Sequence, residues 1–145
     1  MSFVDIVNEL KTILESDSAL NSWTTTNYSM SVTVIKGADW REDRLPNVHI
    51  CIVDGIDREL EHMVAVREQD HFLGLLCRLK DRDHDNRFDN IIKFKELVED
   101  IIHLNFTLNG KATLVSVMGG NPNPSYKIGV DFVQRLVQIK INHVI

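Results

Sequence analysis

The sequence predicts an α+β fold: a mostly antiparallel sheet with two amphipathic helices packed on one face. Three observations predict it. Two segments carry an apolar stripe at helical spacing. Several others alternate apolar and polar residues with the period of two that a half-buried strand requires. The strand-like runs also follow one another directly, whereas a parallel α/β fold would place a helix between each pair. At 145 residues and 43% hydrophobic content, the chain is sized for a single domain, residues 1–145, around one core.

The first helix is predicted from "SFVDIVNELKTILES", where Ile6, Leu10, Ile13 and Leu14 fall at i, i+4, i+7 and i+8. Ser2 is its expected N-cap, with Asp5 completing an abbreviated capping box. The next stretch, "ESDSALNSWTTTNYS", is polar and has room for one short helical turn before a strand at "MSVTVIKG". "GADWREDRLP" is a charged connector closed by Pro46. In "NVHICIVDG" Val48, Ile50 and Ile52 share one face and His49, Cys51 and Val53 the other, so both sides are expected to be covered.

Arg58–Arg67 and His71–Lys80 read as a hairpin joined at Glu68–Asp70. In its second strand Leu73, Leu75, Cys77 and Leu79 point one way, and Phe72, Leu76, Arg78 and Lys80 the other. "NRFDNIIKFKELVEDIIHLN" carries the strongest helical stripe, Ile91, Phe94, Val98, Ile101 and Ile102, flanked by Phe88 and Leu97. Two strands close the chain, "ATLVSVMGG" and, after the turn-rich "GGNPNPS", the long "YKIGVDFVQRLVQIKINHV". There Val133, Val137, Ile139 and Ile141 alternate with Gln134, Gln138, Lys140 and Asn142, the pattern of a sheet with one wet face.

Sixteen basic against 21 acidic side chains give a net charge of -5, the wrong sign for a protein that grips phosphates. Aromatic content of 7% offers no base-stacking platform. Cys51 and Cys77 sit in apolar runs and suit a reducing compartment. The opening "MSFVDIVNELK" has an early acid and no long apolar run, unlike a signal peptide, and nothing approaches 18 consecutive apolar residues. The expectation is a soluble domain made in the cytoplasm, with no membrane partner.

One stretch invites a metal reading, "LKDRDHDNRFDN". Asp81, Asp83 and Asp85 match the first three ligand positions of a calcium loop. Asn86 then stands where such a loop needs glycine and Ile92 where it needs a bidentate Glu, and the element before it reads as a strand. Arg82 and Arg87 also sit among the carboxylates. The expected role is a polar joint into the helix, capped by Asp85, Asn86 or Asp89. The six histidines lie in different elements without a ligand spacing. Neither cysteine has the electropositive, exposed setting of a nucleophile. "GGNPNPS" lacks the helix and lysine of a phosphate cradle. No catalytic residue, metal ligand or cofactor site is therefore expected. Trp40, beside Arg41 and Arg44, is either an anchor for a protein contact or a cover over the core edge.

The layout resembles the tail terminator, or tail completion, proteins of long-tailed bacteriophages, the lambda-type minor tail proteins of roughly this length. The likeness rests on the first helix with its I-x-x-x-L-x-x-I-L spacing, the Pro-closed loop before a buried strand in "RLPNVHICIVDG", and "HFLGLLCRLKDRDHDN" running into the second helix. The closing strands "ATLVSVMGGNPNPSYKIGVDFVQRLVQIKI" complete it. It covers nearly the whole chain and is one of layout, since the family has no catalytic motif.

The resemblance implies a structural virion protein of the tail and neck, assembled in the host cytoplasm. Its copies would form a hexameric ring that caps the tail tube protein and meets the head–tail connector protein. DNA would pass through the lumen without sequence-specific contact. A ring needs one patch to meet a different patch on its neighbour. The expected patches lie on the two long loops, with Trp40, Arg41, Arg44, Asn121 and Asn123, and on the sheet face the helices leave open. The alternatives are a monomeric protein-binding adaptor and a small metal-dependent hydrolase using residues 81–85.

Overall fold

The computed structural model describes residues 2–37, 45–60, 68–118, 125–128 and 131–144, with 56–60 and 126 as backbone only. Along the chain these form α1 (Phe3–Ser16), α2 (Ser18–Tyr28), β1 (Thr33–Lys36), β2 (Val48–Leu60), β3 (Glu68–Lys80), α3 (His84–Leu104), β4 (Leu114–Val117), β5 (Tyr126–Ile128) and β6 (Phe132–Val144). The six described strands make one sheet, ordered β1-β2-β3-β6-β4, with β5 also paired to β6. The α+β class holds, with a mixed sheet and three described helices.

Helix α1 begins with a full capping box. Ser2 Oγ accepts the Asp5 N–H at 3.3 Å, and the Asp5 carboxylate accepts the Ser2 N–H at 3.2 Å. These bonds hold the Asp5 carboxyl below its ordinary range. The buried residues of α1 are Ile6, Leu10, Ile13 and Leu14, the stripe read from the sequence.

Helix α2 is the first correction: eleven residues, where one turn and a two-helix layer were expected. Its stripe is too thin to read, since only Leu20 and Thr24 are buried. The Asp17 carboxylate starts the helix by accepting the Leu20 N–H at 2.9 Å. Trp23 then docks on Phe94 of α3 with ring centroids 5.8 Å apart. Tertiary packing supplies what local propensity does not.

The sheet is mostly antiparallel, as expected, with one exception. β1 runs parallel to β2, while the other four pairings are antiparallel. Side-chain alternation has the same period in both cases, so the pattern could not distinguish them.

The hairpin is also longer and differently joined. "NVHICIVDG" and the start of the expected next strand are one strand, β2, running to Leu60. Glu68–Asp70, read as the joint, lies in the ladder: Arg58, Glu59 and Leu60 pair with Asp70, Gln69 and Glu68. The polar composition of a turn here serves a paired strand instead: Asp70 is buried and accepts the Asn142 amide at 3.0 Å. The rest of the expected first arm, residues 61–67, lies outside the described residues. A register shift between Asp54 and Asp57 marks a bulge, where any side chain at Gly55 would collide with the Phe72 carbonyl.

The closing strand divides in two. β5 folds back antiparallel onto β6, pairing Tyr126 with Gln134 and Ile128 with Phe132. Just before β6, Asp131 adopts φ of 60°, which ends the regular pattern that reads as one long strand.

The core fills one face. Ile50, Ile52, Leu73, Leu75, Cys77, Leu79, Val137, Ile139 and Ile141 meet the α1 stripe and Ile91, Phe94, Val98, Ile101 and Ile102 of α3. Burial of apolar area on this scale is the main favourable term in the fold. The opposite face is covered on β2, as expected of "NVHICIVDG", but differs from the wet surface expected of the closing strand. His49, Cys51, Arg78 and Phe132 are fully buried there, and Gln134, Gln138, Lys140 and Asn142 are half-buried.

Candidate functional site

The aspartate joint is built from hydrogen bonds. Asp83, rather than Asp85, Asn86 or Asp89, is the N-cap of α3, its carboxylate accepting the Asn86 N–H at 3.0 Å. The Asp81 carboxylate accepts the Asp83 N–H at 2.9 Å and the Tyr28 hydroxyl at 3.1 Å, and Asn90 donates to that hydroxyl at 2.9 Å. Partial burial is the largest factor pushing the Tyr28 phenol up to about 12. The joint thus ties α2 to the start of α3. Asp85 is exposed beside His84 at 3.5 Å. Among the described residues, no three His, Cys, Asp or Glu side chains are arranged to hold a metal ion.

Folding brings together two histidines that the sequence separates. His71 Nε2 lies 3.1 Å from His143 Nδ1, with the rings stacked at 4.9 Å. Phe3, in the first turn of α1, stacks on His71 at 3.7 Å. Burial, and after it the neighbouring His71, lowers the pKa of His143. Both sit on the core side of the sheet, since His71 pairs with Ile141 and Gln69 with His143. A spacing of 72 residues left no local pattern to find.

The cysteines occupy neighbouring strands but opposite faces. Cys77 lies in the core and burial pushes its thiol strongly up. Cys51 lies on the outer face, where Arg78 Nη1 donates to its sulfur at 3.5 Å. Arg78 Nε also donates to Gln134 Oε1 at 2.9 Å, and His49 Nδ1 lies 3.0 Å from the Pro46 carbonyl. This polar row across β2, β3 and β6 holds the outer face together.

The edge strands β1 and β4 are blunted. Just before β1 the N–H of Val32 donates to Asn21 Oδ1 at 3.1 Å, and on β1 the outward N–H of Val34 donates to Glu15 Oε1 at 3.2 Å. On β4 the outward N–H of Val115 donates to the Phe106 carbonyl at 2.7 Å. Unsatisfied edges are templates for strand addition, and these caps remove much of that template.

A cleft of about 620 Å³ opens between the start of α3 and β5–β6. Phe88, Ile91 and Val133 supply its apolar wall, and Arg87, Lys127 and Arg135 its cations. Arg87 is ion-paired with Asp131 at 3.7 Å. Arg135 is different. It pairs across the ladder with Cys77, so it stands on the core side of β6, and its buried Nε has no hydrogen-bond partner. The sequence signal was present: a charge in phase with Val133, Val137 and Ile139.

Of the residues singled out as contacts in the sequence, Trp40, Arg41, Arg44, Asn121 and Asn123 all lie outside the described residues. No described helix is long and apolar enough to cross a membrane. No protein-family model matches the chain, and no curated protein matches it in sequence.

Proposed function

We propose that the chain is a structural subunit of the tail terminator type, assembling into a ring that caps a phage tail tube and meets the head connector. The observation that carries this reading is the order of elements. A capped amphipathic helix leads through α2 and β1 to a long hairpin, which runs through a polar joint into α3, and the closing strand β6 then pairs with the hairpin. Apart from α2, which stands where that layout has a polar segment, this order supports the resemblance. The blunted edges support it further, because copies would then meet through side-chain surfaces with a defined rotation rather than by open-ended strand addition.

Light scattering after size exclusion, with electron microscopy of the same fraction, tests the reading alone and with added tail-tube protein. The expected result is a ring of about six copies of the 16.6 kDa chain, and tubes that stop growing when it is added. A chain that stays monomeric in both conditions and leaves tube growth unchanged overturns it.

A further inference from the structure

We propose that the cleft beside α3 is one half of a head-to-tail contact between copies. Its occupant is the exposed Glu96–Asp100–Leu104 ridge of a neighbouring chain. The inference rests on the ring reading and names the two surfaces that would build it.

The cleft asks for a particular ligand chemistry. A guanidinium with a shielded, unpartnered Nε stands at its wall, next to Lys127 and Arg87, and Phe88 is 57% exposed at its rim. Arg135 and Lys127 have no ion pair among the described residues, and an arriving carboxylate would meet these cations with charge-assisted hydrogen bonds. The apolar wall favours an aliphatic group beside the carboxylate.

The chain presents that combination along the C-terminal half of the same helix. Glu96, Asp100 and Leu104 follow one another at i, i+4 and i+8, so they line one ridge. All three are exposed, Leu104 at 79%. Neither acid has an ion pair among the described residues, whereas Glu99 beside them is bound to Lys95. Asp100 stands 13 residues beyond Arg87 on α3, ~20 Å along the helix, so the two patches are separate surfaces. Two unlike patches, cation with apolar wall and acid with leucine, make a heterologous contact, the kind that closes into a ring when the rotation allows.

The test is a charge-reversal exchange read by light scattering, at concentrations up to about 100 µM so that a weak contact is filled. D100R changes an exposed residue and leaves the fold intact; R135E reverses the cleft. Each alone should lose the oligomer, and mixing the two should recover it, because the reversed cleft then faces the reversed ridge. If R135E fails to fold, K127E and L104D take its place, each expected to reduce assembly on its own. Wild-type assembly should also weaken as salt is raised.

An oligomer unaffected by D100R and L104D overturns the proposed contact while leaving the ring reading in place. A wild-type chain that stays at single-chain mass at every concentration also overturns the contact. The tube-capping assay then decides the ring reading separately.

Discussion

The two faces of the sheet solve burial in different ways. On the inner face, rows such as Val48, Leu79 and Val133, or Ile52, Leu75 and Val137, lie across three strands and pack against helices. On the outer face the equivalent rows are His49, Arg78 and Gln134, then Cys51, Leu76 and Leu136. The inner face is held mainly by buried apolar area, which tolerates conservative change. The outer face buries an arginine at its centre, where the geometry of its bonds decides the outcome. A strand can therefore be apolar on one side and fully buried on both.

The sharpest way to probe the contrast is truncation on the inner face. Phe94→Ala should destabilise the fold by about 3–5 kcal/mol, because it removes a fully buried ring that also seats Trp23. Urea denaturation monitored by circular dichroism measures this. On the outer face, Arg78→Ala should cost about 2 kcal/mol by stranding the Gln134 carbonyl and the cavity around it. Arg78→Lys should recover little, since an ammonium cannot reach Gln134 and Cys51 in the same planar arrangement. If lysine restores stability in full, the outer face is held by charge rather than geometry.

A smaller effect is expected at the β1 edge. Glu15→Ala removes the acceptor for the Val34 N–H, at about 1 kcal/mol, and should raise the rate of aggregation on heating, followed by turbidity. The smallest concerns pH. The His143 pKa is depressed in the folded state, so the unfolded chain binds the proton more tightly. Stability should fall as pH drops below the ordinary value of 6.5. His143→Asn should flatten this part of the pH profile of Tm. A variant whose profile matches wild type assigns the acid sensitivity to other groups.

What the sequence disclosed follows from how local each signal is. The α3 stripe is complete because every buried residue of that helix recurs at helical spacing. Likewise the alternating sets in β3 and β6 fell on the faces assigned to them. By contrast α2 hides among Ser, Thr and Asn, since its stability comes from Trp23 reaching α3 and from the Asp17 cap. The polar run Glu68–Asp70 resembles a turn until Asn142, 72 residues from Asp70, is placed beside it. The site was less legible still. Loop character points to Trp40, Arg41, Arg44, Asn121 and Asn123, while Arg135 lies in a strand whose only local signal is a charge in phase with Val133 and Val137.

The caps on β1 have a second effect. A parallel strand of four residues has few ladder bonds with which to choose its alignment against β2. Sliding by one position would turn the Val32 and Val34 amides away from Asn21 and Glu15 and swing Val34 out of the interior. The two side chains that close the margin of the sheet therefore act as a ruler, letting the helical layer dictate where its shortest neighbour must lie.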